Sequence, residues 1–149
     1  MNSPANLSFS EAMKIANEAV KNLSAAEQAA SICVVNTDGR VLVQYCMDEA
    51  RVSTIATALL KARLTAKTGR RTRYLRDAFK DPENDLTPEV LGVKDEECVP
   101  YAGGVPIYMG QDEKQILLGS IGISNLSEND DEQYAINAVE KVGYISCRK

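Results

Sequence analysis

Two periods alternate along this chain. Met13, Ala16, Val20 and Leu23 recur at helical spacing, with Ile15 and Ala19 beside them. Ser8-Phe9-Ser10-Glu11 precedes them in the form of a capping box, Ser8 as cap and Glu11 reaching back. Together they predict a helix from about Ser10 to Asn22. The period then changes. Ala30-Ser-Ile-Cys-Val-Val35 is short, apolar and β-branched, as a buried strand is. Asn36-Thr-Asp-Gly39 is a turn, with Gly39 free to take positive φ, and Val41 to Tyr45 is the return strand of a hairpin.

Helical spacing resumes at Ser53 and runs to about Lys67, where Ile55, Leu59, Ala62 and Ala66 form one stripe that Ala58 widens. So many alanines predict close packing against another helix or a sheet. Gly69 is placed to end this helix. A second β region opens at Tyr101-Ala-Gly-Gly-Val-Pro-Ile-Tyr108, turns through Gly110 to Lys114 and returns from Gln115 to Ile123. Gly119 and Gly122 interrupt the return strand, a mark of a bulge or of close approach by a ligand or another backbone. Ser127 caps a last helix with Glu128, Asp130 and Asp131 in its first turn, Tyr134, Ala135, Ala138, Val139 and Val142 on its apolar stripe, and Gly143 just past its end. The order is helix, hairpin, helix pair, loop, hairpin, helix. Antiparallel pairs separated by helices predict an α+β sandwich with a sheet of about five strands flanked by helices. No repeat or linker interrupts residues 1–149, so a single domain is expected.

Charge changes the picture after the long helix. Lys61, Arg63, Lys67, Arg70, Arg71, Arg73 and Arg76 come with no acid among them; Asp77, Asp81, Glu83, Asp85, Glu89, Asp95, Glu96 and Glu97 then follow against Lys80 and Lys94. The basic block suits an anionic ligand, or it forms a solvated face paired with the acidic block within a subunit or across an interface. Pro82, Pro88 and Gly92 make the acidic block mostly loop. The formal net charge is −4, which argues against nucleic acid as a partner. No stretch is long and apolar enough to span a membrane, and Met1 to Leu7 lacks the basic and apolar regions of a signal peptide, so a cytoplasmic protein is expected.

The chain has no histidine. Ser-His-Asp and Cys-His catalysis are thereby excluded, and so is the commonest zinc and haem ligand. Acid–base work would fall to Asp, Glu, Tyr, Lys or Cys. Cys33, Cys46, Cys98 and Cys147 show no metal-knuckle spacing, so no metal site is expected. Cys33 and Cys46 lie in apolar runs where free cysteine serves as a small hydrophobe.

Four segments in order resemble the GlcG-like family, which includes HbpS-type haem-binding proteins and the PduO C-terminal domain. They are Asn36-Thr-Asp-Gly-Arg-Val-Leu-Val43 with Met47-Asp48; Ser53 through Lys61-Ala62 to Thr65-Ala66; Gly103-Gly-Val-Pro-Ile107; and Gly119-Ser-Ile-Gly-Ile-Ser124 with Asp131-Glu132 beyond. Cys46, Glu49 and Asn125 depart from the family pattern, Asn125 standing where it has glycine. The resemblance implies a profilin-like α+β domain that forms a homo-oligomer and holds a small ligand between the long helix and the glycine loop. Lys61, Thr65, Tyr101, Gly103, Gly104, Pro106 and Tyr108 are the implied ligand-binding residues, with Lys61 and Asp131 as candidates for catalysis. Each has a plainer use. Lysine on an amphipathic helix is commonly solvated, an acid in a helix's first turn answers the dipole, and a glycine pair can merely shape a strand entry. The ligand implied is haem, another tetrapyrrole or a small anionic metabolite. Without histidine, haem ligation would pass to Tyr, Cys or Met, and Tyr101, Tyr108 and Cys98 lie nearest the glycine loop. The function implied is that of a ligand-binding accessory protein. The alternative is a cofactor-independent isomerase, cyclase or dehydratase.

Overall fold

The computed structural model describes residues 6–148. Its elements are α1 (Phe9–Ala25), β1 (Ser31–Asn36), β2 (Val41–Cys46), α2 (Ser53–Thr68), α3 (Thr72–Lys80), β3 (Gly104–Met109), β4 (Ile116–Ser124) and α4 (Glu128–Lys141), with short 3-10 turns at Asp95–Glu97 and Asp112–Lys114. The caps fall where the residue types place them. Ser8 accepts the Glu11 N–H, Ser127 accepts the Asp130 N–H, and Gly69 ends α2 in the left-handed conformation at φ 73°.

The sheet is antiparallel in the order β2-β1-β4-β3. It therefore has four strands where about five are expected from the sequence. The apolar runs supply two hairpins and nothing more: the acidic block forms the end of α3, loops and one 3-10 turn, and Ile145 adds only an isolated bridge to Tyr108.

Strand alternation divides the core. On β1, Ile32 and Val34 join Ile121 and Ile123 of β4 under α1 and α4, against Ile15, Leu23, Ala135 and Val139. Cys33 and Val35 face the other way, against Ala58, Ala62 and Ala66 of α2. Three layers result: two helices, the sheet, and the long helix. A third cluster, Leu64, Leu75, Val93 and Val99, fastens α3 and the acidic loop to the outer side of α2. The second helix of the expected pair is α3, whose buried residues Thr72, Leu75 and Ala78 recur at helical spacing between the charged ones. Cys33 is wholly buried and its thiol is pushed up to about 12 by that burial, which makes it an inert core residue. Cys46, by contrast, is exposed.

Close packing of α2 on β4 depends on small residues. A Cβ on Gly122 would collide with the Ala58 carbonyl oxygen and stand 2.8 Å from the Ala62 nitrogen, and neither backbone can swing aside. Next to it the Ser120 hydroxyl donates to the Ala62 carbonyl. We expect Gly122→Ala to destabilise the fold by at least about 1–3 kcal/mol, as overpacking does. It should appear as a lower urea midpoint at unchanged slope; a midpoint equal to that of the parent chain would refute this account of the helix–sheet contact.

Candidate functional site

Ser53, Thr57, Lys61 and Thr65 lie four residues apart, so they form one polar ridge along an otherwise alanine-rich helix. Its first three members face the junction where β4 ends and α4 begins. Lys61 is 1% exposed, in contrast to the solvated lysine its helix would ordinarily carry. Its Nζ donates to the Ile123 carbonyl at 2.8 Å and to Asp131 Oδ2 at 3.3 Å. Asp131, 3% exposed in the first turn of α4, also accepts the Leu126 N–H on Oδ1 at 3.0 Å. It is thus a buried partner as well as a residue answering the helix dipole. Burial pushes the Lys61 ammonium below the ordinary lysine range and the Asp131 carboxyl above the ordinary carboxylate range, and each charge pulls the other back.

Above the pair opens a cleft of about 450 Å³. Its walls carry Ser53, Thr54 and Thr57 from α2, Ser124 and Asn125 from the end of β4, and Ser127 and Glu128 from the start of α4; Arg51 and Tyr101 stand at the rim, both exposed. The lining is rich in hydroxyls, with Leu126 the aliphatic side chain among it. Asn125 turns the chain at φ 134°, where the family pattern has glycine. Its side chain holds that conformation by accepting the Arg51 N–H at 3.2 Å and donating to the Ala29 carbonyl at 2.8 Å. Glu128 is drawn below the ordinary carboxylate range by hydrogen bonds from Arg76, whose Nη1 lies 2.8 Å from its oxygens.

Of the residues singled out from the sequence, Lys61, Tyr101 and Asp131 line this cleft, whereas Thr65, Gly103, Gly104, Pro106 and Tyr108 do not. The space beside the two glycines is taken by α2 itself. A Cβ on Gly103 would stand 2.8 Å from Lys61 Nζ, and one on Gly104 would stand 2.6 Å from Thr65 Oγ1. Gly104 also donates its N–H to Thr72 Oγ1 at 3.0 Å. Thr65 Oγ1 is buried without a hydrogen-bond partner among the described residues. Pro106 is buried within β3, and the Tyr108 hydroxyl donates to the Gly69 carbonyl at 2.7 Å. Arg51, Ser53, Thr54, Thr57, Asn125 and Glu128 were not legible as site residues in isolation; the four-residue polar spacing on α2 was the available signal for two of them.

The basic block finds most of its partners on α4 rather than in the acidic loop. Arg73 pairs with Glu132 and Arg76 with Glu128; among the described residues only Lys67–Glu97 and Arg76–Asp77 join it to the acidic stretch. The loop folds against α3 and the outer side of α2 through Val93 and Val99, and its acids are largely left facing water.

The family described as haem degrading protein HbpS-like matches residues 7–140. A search of curated proteins finds no match. Among solved structures, the Klebsiella pneumoniae protein ORFY is similar at 21% identity and a TM-score of 0.80, over 95% of this chain and 94% of that one. A PduOC–haem complex is similar at 22% identity and 0.80, over 97% and 100%, and HbpS at 23% and 0.78, over 96% and 94%. These likenesses extend the observed fold to nearly the whole chain.

A haem bound here would need a ligand and an apolar bed, and the residues meet that need poorly. Burial pushes the Cys98 thiol and the Tyr108 phenol up, and both are engaged, the Cys98 thiol donating to the Lys94 carbonyl at 3.5 Å and the Tyr108 hydroxyl to the Gly69 carbonyl. Tyr101 stands free at the cleft mouth, but the walls beneath it are polar. Among the described residues no group of three or more His, Cys, Asp or Glu is placed to hold a metal ion, and no helix is long and apolar enough to cross a membrane.

Asp131→Asn keeps the Oδ1 acceptor for Leu126 and removes only the charge facing Lys61. We expect it to cost about 3–5 kcal/mol near neutral pH, as breaking a buried pair does, and the double variant Lys61→Met/Asp131→Asn to regain much of that. In the single variant Lys61 has its folded-state pKa below its unfolded value, so the unfolded chain binds the extra proton. Stability of the variant should therefore rise with pH toward the ordinary lysine range. Urea unfolding across that range checks both points, and a pH-independent single variant would contradict the pairing.

Proposed function

Because the chain belongs to the HbpS-like family, we propose that it is a ligand-binding accessory protein, one GlcG-like domain over residues 1–149 acting as a cytoplasmic homo-oligomer. Its ligand is a small anionic metabolite received in the cleft over Lys61. One observation carries this reading: a polar, hydroxyl-lined cleft has a buried ammonium at its floor. Two of the three Nζ donors are committed, to Ile123 and Asp131, which leaves one for a ligand oxygen. Arg51 at the rim adds a second cation. Lys61 is paired rather than free, which supports holding a ligand over the alternative of a cofactor-independent isomerase, cyclase or dehydratase.

Haem is the second reading, favoured by the family's description and by the similarity to a protein solved as a haem complex. Tyr101, exposed at the cleft mouth, is the residue whose removal tests it.

The test is thermal unfolding against a panel of small carboxylates and phosphates, beside a haemin titration followed by visible absorbance. A bound carboxylate should raise the midpoint saturably, by the equivalent of about 2.7 kcal/mol at a hundred times its Kd. Thr57→Leu, which narrows the cleft while leaving Lys61 and Asp131 in place, should abolish that rise. A stoichiometric haemin shift lost in Tyr101→Phe would decide for haem instead, and no response to any of them would sink both readings. A light-scattering mass at the monomer value of 16.2 kDa would refute the oligomer.

A further inference from the structure

A second concavity, of about 380 Å³, shares no lining residue with the Lys61 cleft. It opens between α3, α4 and the C-terminal segment, where Arg70, Arg71, Arg73 and Arg148 converge with Tyr74 and Cys147. Its two acids are already answered. Glu132 takes Arg73 Nε on both oxygens at 3.1 and 3.2 Å, and Asp77 takes Arg76 from outside the lining at 3.1 Å. Arg71 is held without a carboxylate of its own, donating to the Ser146 carbonyl at 3.0 Å and hydroxyl at 2.9 Å. Arg70 lies 4.9 Å from the centroid of the Tyr74 ring, and neither it nor Arg148 has an ion-pair partner among the described residues. Among the described residues, three guanidinium charges in one concavity are therefore not paired with a carboxylate, on a chain whose net charge is −4.

Guanidinium forks match phosphate oxygens in geometry as well as charge. The Arg70 guanidinium lies over the Tyr74 ring, yet Tyr74 stays 43% exposed, so part of the ring is left for a flat partner beside the arginines. We propose that this concavity is a binding site for a phosphorylated aromatic ligand, a nucleoside phosphate, with Arg70, Arg71 and Arg148 on the phosphates and Tyr74 against the base. The site is independent of the Lys61 cleft and stands or falls apart from it.

Cys147 in the lining provides the readout. Iodoacetamide labelling of the full chain, read peptide by peptide by mass spectrometry, is followed with ADP as the probe. Occupancy should slow alkylation of Cys147 saturably. The exposed Cys46 should react at its usual rate, and the buried Cys33 should stay unlabelled throughout. Adenosine, without phosphate, should not protect, and inorganic pyrophosphate, without a ring, should protect only at higher concentration. Arg70→Gln/Arg148→Gln should weaken ADP protection about ten-fold or more, the scale of a lost charged hydrogen bond, at an unchanged thermal midpoint. Tyr74→Ala should bring ADP down to the level of pyrophosphate. The proposal is overturned if millimolar ADP leaves Cys147 unprotected, if the double arginine variant is protected equally, or if Tyr74→Ala leaves ADP and pyrophosphate as far apart as before.

Discussion

The contact between Lys61 and Asp131 ties α2, which packs on one face of the sheet, to the end of β4 and to the start of α4. Lys61 sits in the third turn of α2, its ammonium reaches the end of β4 at Ile123, and Asp131 opens α4. Both side chains are almost wholly removed from water. Such a pair is costly to desolvate and contributes little net stability compared with an apolar replacement, but neither half tolerates the loss of the other. Its structural effect is therefore one of position. It fixes where the N-terminus of α4 lies over the sheet, and hence the depth and shape of the cleft above it.

The surrounding backbone is arranged to leave room for this contact. Gly103 and Gly104 carry no side chain where Lys61 and Thr65 pass, and Gly122 carries none where α2 crosses β4. The alanines of α2 complete the approach. An unbranched helix surface against a glycine-bearing strand brings the helix axis close, and that closeness lets a lysine on the helix reach a carbonyl on the strand. The glycines thus serve the pair from behind, and the ligand-facing wall is built instead from the hydroxyls of α2 and the turn at Asn125.

Electrostatics then separates the molecule into two unlike concavities. In the Lys61 cleft the charges are largely satisfied, and a hydroxyl-rich surface surrounds a single buried ammonium. In the concavity beside Tyr74 the acids are consumed by neighbouring arginines and a surplus of cations is left. Arg73 and Arg76 make the difference, because they take Glu132 and Glu128 of α4 and leave Arg70, Arg71 and Arg148 without a carboxylate partner among the described residues.

The sequence by itself determined the elements and their order. Period-two runs, turn residues and caps are local, so both hairpins, α1, the reach of α2 to Gly69 and the capped start of α4 could be read from neighbours along the chain. It implied a second helix after α2 without giving its bounds, and it did not determine the strand count, which four strands settle where about five were expected. The site was legible in part. Lys61, Tyr101 and Asp131 could be named, but their roles could not: a lysine amid alanines and an acid in a first turn have ordinary local explanations. Only the tertiary structure put Lys61 and Asp131 in contact across 70 positions of sequence, gave the glycine pair to α2, and matched most of the basic block's ion pairs with α4 rather than with the acidic loop that follows it. The physical reason is the same in each case. Periodicity reports which face of an element is apolar, whereas the partner of a buried charge depends on how close two backbones can come, and that was set by where the side chains are absent.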